Sequence, residues 1–286
     1  VASQNDVPMA AKAHIIGTAF LGVEMRCARC HDSPYHDTTQ KNLFNMAAML
    51  ERQAITVPKT SSVPAAFFDH LEAGGREPLI QVTLTTGTKV GAEWPFHDLQ
   101  AEIPAGVVQN IEDTRERIAA EVTFSRRFAE VMTNRVWKRF MGAGIVEPVD
   151  DWEGNSPSDP ALLACLTDEF IRGGYDLKHL TRVIVNSDAY QRQAIDLPVN
   201  SPATERLFEG PYRRRMSAEQ VVDNAWDVAG RTMDVGCLTM DIEGRLAPNW
   251  FMNFGEPRHA WEFTTLANER DLSLIHISEP TRQKPI

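Results

Sequence analysis

Between residues 11 and 26, Ile15, Ile16, Ala19, Phe20 and Val23 recur at i, i+1, i+4, i+5 and i+8, the repeat of one apolar helix face. The pattern predicts a helix running directly into Cys27. After the polar turn Asp32-Ser33-Pro34, the residues Leu43, Phe44, Ala47, Ala48 and Leu50 predict a second amphipathic helix. Pro58 to Pro64, with Thr60, Ser61 and Ser62, reads as a loop. From Pro78 to Val90 the period shortens to two. Ile80, Val82 and Leu84 alternate with Gln81 and Thr83, and Thr86-Gly87 supplies a turn before Lys89-Val90, which together predict a β-hairpin. Pro95 to Pro104 reads as a linker.

From about residue 111 to 230 the helical period returns. Ser125 is placed to cap a helix carrying Phe128, Val131, Met132, Val136 and Phe140, which Gly142 closes. Asp159-Pro160 gives a cap followed by proline at the first helical position, ahead of Leu162, Leu163, Leu166 and Phe170 and the stop Gly173-Gly174. Asp176 caps the next helix, with Leu180 and Ile184 inward. Ser217 and Gln220 form a capping-box pattern before Val221, Val222, Ala225, Trp226 and Ala229. No internal repeat or low-complexity tract interrupts this order.

The fold expected is mainly α: a helical segment carrying a cysteine motif, a small β-hairpin, then an irregular multi-helix domain. The boundaries fall at 1–75, 76–110 and 111–270, with 271–286 set apart. Leu272 to Arg282 resembles the translation of a sequencing adapter, so His276 is no ligand candidate. Val1 is not an initiator methionine, so the natural N-terminus is expected to lie upstream.

Composition narrows the function. The 286 residues are 43% hydrophobic and 24% charged, ordinary for a globular chain with a sizeable core. The net charge of −10 argues against a nucleic-acid reader, which carries a basic face. No apolar run is long enough to span a bilayer.

Cys27-Ala28-Arg29-Cys30-His31 carries the chemistry. Two thiols separated by two residues can add to the two vinyl groups of haem, and the adjacent imidazole then falls beneath the iron. This spacing is that of c-type haem attachment, with haem c as cofactor, Cys27 and Cys30 as thioether donors and His31 as proximal ligand. Alternatives remain open. A redox CxxC wants a βαβ context, and the surroundings here read as helical. Zinc could draw on Cys27, Cys30, His31 and His36, but adjacent Cys30 and His31 strain a tetrahedral site.

For the sixth iron ligand, His14 stands thirteen residues before Cys27, roughly 20 Å up an unbroken helix, and is set aside. His36 is near in sequence. Met46 and Met49 share one side of the next helix, and methionine/histidine ligation raises the iron's potential. Both methionines read equally as core filler. Cys165 is expected as a buried free thiol on the apolar side of its helix, and Cys237 has no visible pair. Asp150, Asp151, Glu153, Asn155 and Asp159 lack EF-hand spacing and read as a polar loop. Tyr212-Arg213-Arg214-Arg215 reads as a solvated charge run, and Trp137, Trp152 and Trp226 as core or half-buried aromatics. No Ser/His/Asp arrangement, phosphate loop or HExxH motif stands in the linear sequence, which designates no catalytic residue.

Phe20-Leu21-Gly22-Val23, Cys27 to Asp32 and Thr39-Gln40-Lys41 resemble the planctomycete cytochrome-like domain. Asn134-Arg135-Val136-Trp137, Gly142 to Val146, Gly174 to Leu180 and Ser187 to Gln191 resemble its C-terminal companion, the planctomycete-specific PSD-one domain. The resemblance covers most of residues 10–270. It implies a large multidomain protein exported across the inner membrane, so a periplasmic or extracytoplasmic location is expected. One position departs: Ser33 stands where the family carries a second histidine, and no role passes to His36 on that account. The first functional expectation is an exported c-type cytochrome-like protein that transfers electrons to an unidentified redox partner. The alternatives are a non-redox metal-binding or structural module, and a hydrolase of extracellular polymers.

Overall fold

The computed structural model describes residues 8–59, 65–76, 79–197 and 202–213, together with residues 224 and 228. Val1–Arg213 form one compact unit and Arg214–Ile286 a second. The helix expected after Ser217, Trp226, Cys237 and the 271–286 segment lie outside the described residues, as does most of the Pro58–Pro64 loop.

The first unit is mainly helical, with one two-stranded antiparallel sheet. Helix α1 (Met9–Ile16) is continued by a wider π turn, Gly17–Leu21, and stops at Gly22, which is left-handed at φ +64°. The single helix expected to reach Cys27 is therefore broken. Its inward face is also different: Ala13, Gly17 and Leu21 are buried, whereas Ile15 and Phe20 are exposed. α1 packs against α2 (Gln40–Glu51), where Ala13 joins the apolar cluster of Leu43 and Met46, while Gly17 lies against the Met25 side chain.

α2 begins at a capping box in which Thr39 Oγ1 accepts the Asn42 N–H and Asn42 Oδ1 accepts the Thr39 N–H. It buries Leu43, Phe44, Met46, Ala47, Ala48 and Met49. Arg52 N–H donates to Met49 O at 3.2 Å, and side chains from later in the chain reach the same last turn. Beyond α3 (Ala65–Ala73) and α4 (Ala105–Val108), the start of α5 (Thr114–Thr123) reaches back to it: Thr114 Oγ1 donates to Met49 O at 2.5 Å, and Arg115 Nε donates to Leu50 O.

The small sheet pairs β1 (Ile55–Thr56) with β2 (Lys89–Val90), Ile55 opposite Val90. The turn at Thr85–Thr88 is present, closed by Thr88 N–H to Thr85 O at 3.1 Å. The alternating segment before it is not the partner strand. Gln81 O accepts from Asp32 N–H at 2.7 Å and Leu84 N–H donates to Gln40 Oε1 at 3.0 Å. The backbone groups that would have formed a hairpin are committed to the cysteine loop and to α2.

The second core lies among α6 (Arg126–Met141), α7 (Pro160–Arg172) and α8 (Leu177–Val185), around Val131, Trp137, Met141, Leu166, Phe170 and Ile184. Ser125, Asp159 and Asp176 cap these helices as expected, and Gly142 closes α6. Asn134, fully buried on α6, accepts from Ile145 N–H at 2.7 Å and Val146 N–H at 3.1 Å and donates to Val146 O at 2.9 Å. One side chain thus satisfies the turn that follows Gly142. Cys165 is exposed, not buried, because Leu163, Leu166, Thr167 and Phe170 occupy the inward face of α7. Among the described residues no helix is long and apolar enough to cross a membrane.

Candidate functional site: the cysteine loop and its clamp

Beyond Gly22 the chain reverses, and Glu24 returns alongside α1. Its carboxylate lies 3.6 Å from His14 Nδ1, and Thr18 Oγ1 donates to Val23 O at 3.3 Å. Burial holds the His14 imidazole below its ordinary range. Glu24 opposes that shift, while Arg26 and Arg29 reinforce it. The rigid-helix distance that set His14 aside therefore does not apply in the folded chain.

Cys27–Arg29 form one 3-10 turn, with Cys30 N–H to Cys27 O at 3.0 Å and His31 N–H to the same carbonyl at 3.2 Å. Ala28, between the cysteines, is fully buried and belongs to the apolar cluster of Leu21, Met25, Leu43, Met46 and Met49. With Ala28 inward, Cys27 and Cys30 are half-buried, both as free thiols. His31 is also half-buried, and its Nδ1 lies 2.7 Å from Asp32 O. A carbonyl oxygen only accepts, so Nδ1 carries a hydrogen and, in the neutral ring, Nε2 carries the lone pair.

Met46 is fully buried and Met49 nearly so, both within the apolar cluster. His36 has both ring nitrogens engaged, Nδ1 with Ser33 Oγ at 2.9 Å and Nε2 with Asp151 Oδ2 at 2.8 Å. Among the described residues no group of three or more His, Cys, Asp and Glu side chains that could hold a metal ion occurs.

The loop is clamped from across the chain. Trp152 N–H donates to Gly22 O at 2.9 Å, Glu153 Oε1 accepts from Asp37 N–H, and Arg135 Nη2 reaches Thr18 O at 3.0 Å and Asp150 Oδ1 at 2.6 Å. Asn155 Nδ2 ties back to Asp151 O and Glu153 O, each at 3.1 Å. The acidic run 150–155 thus serves as a docking loop. A cavity of about 200 Å³ opens where the segments meet, lined by Leu21, Gly22, Thr38, Phe96, Trp152 and Glu153 among others. Neither cysteine lines it.

The fold also assembles what linear order hid: Ser33, His36 and Asp151 in one hydrogen-bonded row. The residue types are those of a hydrolytic triad, but the row has a structural use. Pro34 follows Ser33 and has no N–H to stabilise an oxyanion, and Ser33 Oγ also accepts from Tyr35 N–H at 3.4 Å within its own turn. Asp32, which holds the His31 ring, Thr38, whose hydroxyl donates to Glu24 O at 3.0 Å, and Asp151, which meets His36, carry roles that periodicity could not reveal. Gly22, between two apolar stretches, was the one local signal of the break.

Residues 2–54 match the family model PSCyt2, protein of unknown function (DUF1549), and residues 114–245 match PSD1, protein of unknown function (DUF1553). No curated protein and no solved structure matches the chain. The two matched models, in this order along the chain, are the PSCyt2 and PSD1 domains of the planctomycete type, both of unknown function.

Proposed function

We propose that this protein is an extracytoplasmic c-type cytochrome-like protein that binds haem covalently through Cys27 and Cys30 and transfers electrons. The observation that carries the reading is the pairing of His31 Nδ1 with Asp32 O at 2.7 Å, at the end of a CxxCH turn. A metal-ligating histidine needs one nitrogen fixed by an acceptor so that the other presents its lone pair outward, and His31 meets that requirement. The thiols meet theirs by being free and half-buried one turn apart, so that each can add across a vinyl group, sulfur to one carbon and hydrogen to the other.

When bound, haem supplies one-electron chemistry at iron, tuned by its axial ligand and its burial. The residues fit attachment and the proximal position. For the sixth position, His36 has both ring nitrogens engaged and Met46 and Met49 are packed in the apolar cluster, so the proposal stops at His31. Covalent attachment takes place outside the cytoplasm, where disulfides are also permitted.

The test is haem staining after denaturing electrophoresis, on protein exported in a host with cytochrome-maturation machinery. Wild type is expected to retain haem, and Cys27→Ala and Cys30→Ala to lose most of it. A colourless wild type from a maturation-competent host overturns the reading.

A further inference from the structure

Asp32 makes more bonds than a loop residue needs. Its carbonyl receives the His31 ring at 2.7 Å, and its N–H donates to Gln81 O at 2.7 Å. One carboxylate oxygen, Oδ1, accepts the Gln40 N–H at 2.7 Å and the Thr83 hydroxyl at 2.9 Å. Gln40 is the first residue of α2, so that N–H is one of the donors a helix leaves free at its N-terminus. Gln40 is itself fully buried, and its side-chain oxygen takes Leu84 N–H. Asp32, which carries the His31 acceptor, is therefore fastened to the start of a buried helix and to the 81–84 segment, and the N–H of the same peptide, that of Ser33, donates to Thr38 O at 2.9 Å.

We infer that Asp32 is a positioning residue for His31: its side chain, anchored on Gln40 N–H and Thr83 Oγ1, fixes the carbonyl that holds the His31 ring in the Nδ1–H tautomer with Nε2 free to ligate. The purpose of that arrangement rests on the haem reading, but the arrangement itself does not. Without the two side-chain bonds, only the backbone bonds Asp32 N–H to Gln81 O and Ser33 N–H to Thr38 O hold that carbonyl, and the ring's acceptor is less firmly set. Asn at this position keeps an oxygen for both donors, whereas Ala keeps neither.

The experiment is nitrogen NMR of the histidine rings in full-length, haem-free protein labelled with ¹⁵N-histidine, under conditions where the His31 ring is neutral, with His31→Gln to assign the signals. Wild type is expected to show His31 as a single tautomer, Nδ1 protonated and Nε2 bare. Asp32→Asn is expected to match it, and Asp32→Ala to give signals averaged between tautomers. If Asp32→Ala fails to fold by circular dichroism, Thr83→Val takes its place and is expected to show partial averaging. An unchanged single tautomer in the folded Ala variant, or in Thr83→Val where that stands in, overturns the inference. So does a wild type with Nε2 protonated. Haem staining of the matured wild type is read separately: a colourless band there removes the haem reading and leaves the tautomer result intact.

Discussion

Gly22 and Trp152 touch through main chain and ring at once: the Gly22 carbonyl accepts the Trp152 N–H at 2.9 Å, and the Gly22 Cα faces the indole. A Cβ built on Gly22 would lie 2.8 Å from Trp152 Cγ, closer than real contacts allow. Position 22 thus ends the first helix, reverses the chain toward the cysteine turn and seats the PSD1-matched segment. Gly22→Ala must accept a left-handed φ and displace the indole, a combined cost of about 2–5 kcal/mol. Gly154, at φ +69° with nothing near its Cα, isolates the first effect, and Gly154→Ala is expected to cost about 1–2 kcal/mol. Urea unfolding midpoints of the two variants separate the terms; equal losses would show that the indole moves aside freely.

His36 and Asp151, at 2.8 Å and with side chains 14% and 22% exposed, form the polar half of the same clamp. Largely shielded from water, the pair is expected to be energetically coupled. A double-mutant cycle with His36→Gln and Asp151→Asn should return a coupling of about 1–3 kcal/mol. Additive single losses would mean that the two segments are held together by the other clamp contacts, those of Gly22, Trp152, Arg135 and Glu153.

The buried thioethers lead to a spectroscopic outcome. Met46→Leu and Met49→Leu conserve volume and are each expected to cost less than about 1.5 kcal/mol. In haem-loaded protein, neither is expected to alter the near-infrared spectrum, because the wild type should lack the band of methionine-ligated ferric iron. A band in the wild type that one leucine variant abolishes would assign that methionine as ligand and require α2 to shift.

His14 supplies a pH dependence. Burial lowers its folded-state pKa from 6.5, so the unfolded chain binds the proton more readily. Stability from this group is present above pH 6.5 and is lost as pH falls from there toward the depressed folded value. The thermal midpoint should decline across that interval in wild type, and less steeply in His14→Gln. A wild-type midpoint flat through it would show that Glu24 cancels the effect of burial.

What the sequence determined by itself was local chemistry. Ser125, Asp159-Pro160 and Asp176 announce helix starts because a cap needs only a side chain and the N–H groups two or three residues on. The mainly helical class followed from the apolar period, and Cys27-Ala28-Arg29-Cys30-His31 is legible as a motif because its residues are neighbours in the sequence. Only the tertiary structure decided where non-local bonds go. Ile80, Val82 and Leu84 have the alternation of a strand, yet the backbone around them is claimed by Asp32 and Gln40, and β2 pairs instead with Ile55–Thr56. Ala13 turns inward in place of Ile15 where α1 packs against α2, and Gly17 leaves room for the Met25 side chain, closeness that hydrophobicity along one chain does not report. His36 meets Asp151 across 115 residues, a separation at which no periodicity survives and only the folded chain brings donor to acceptor.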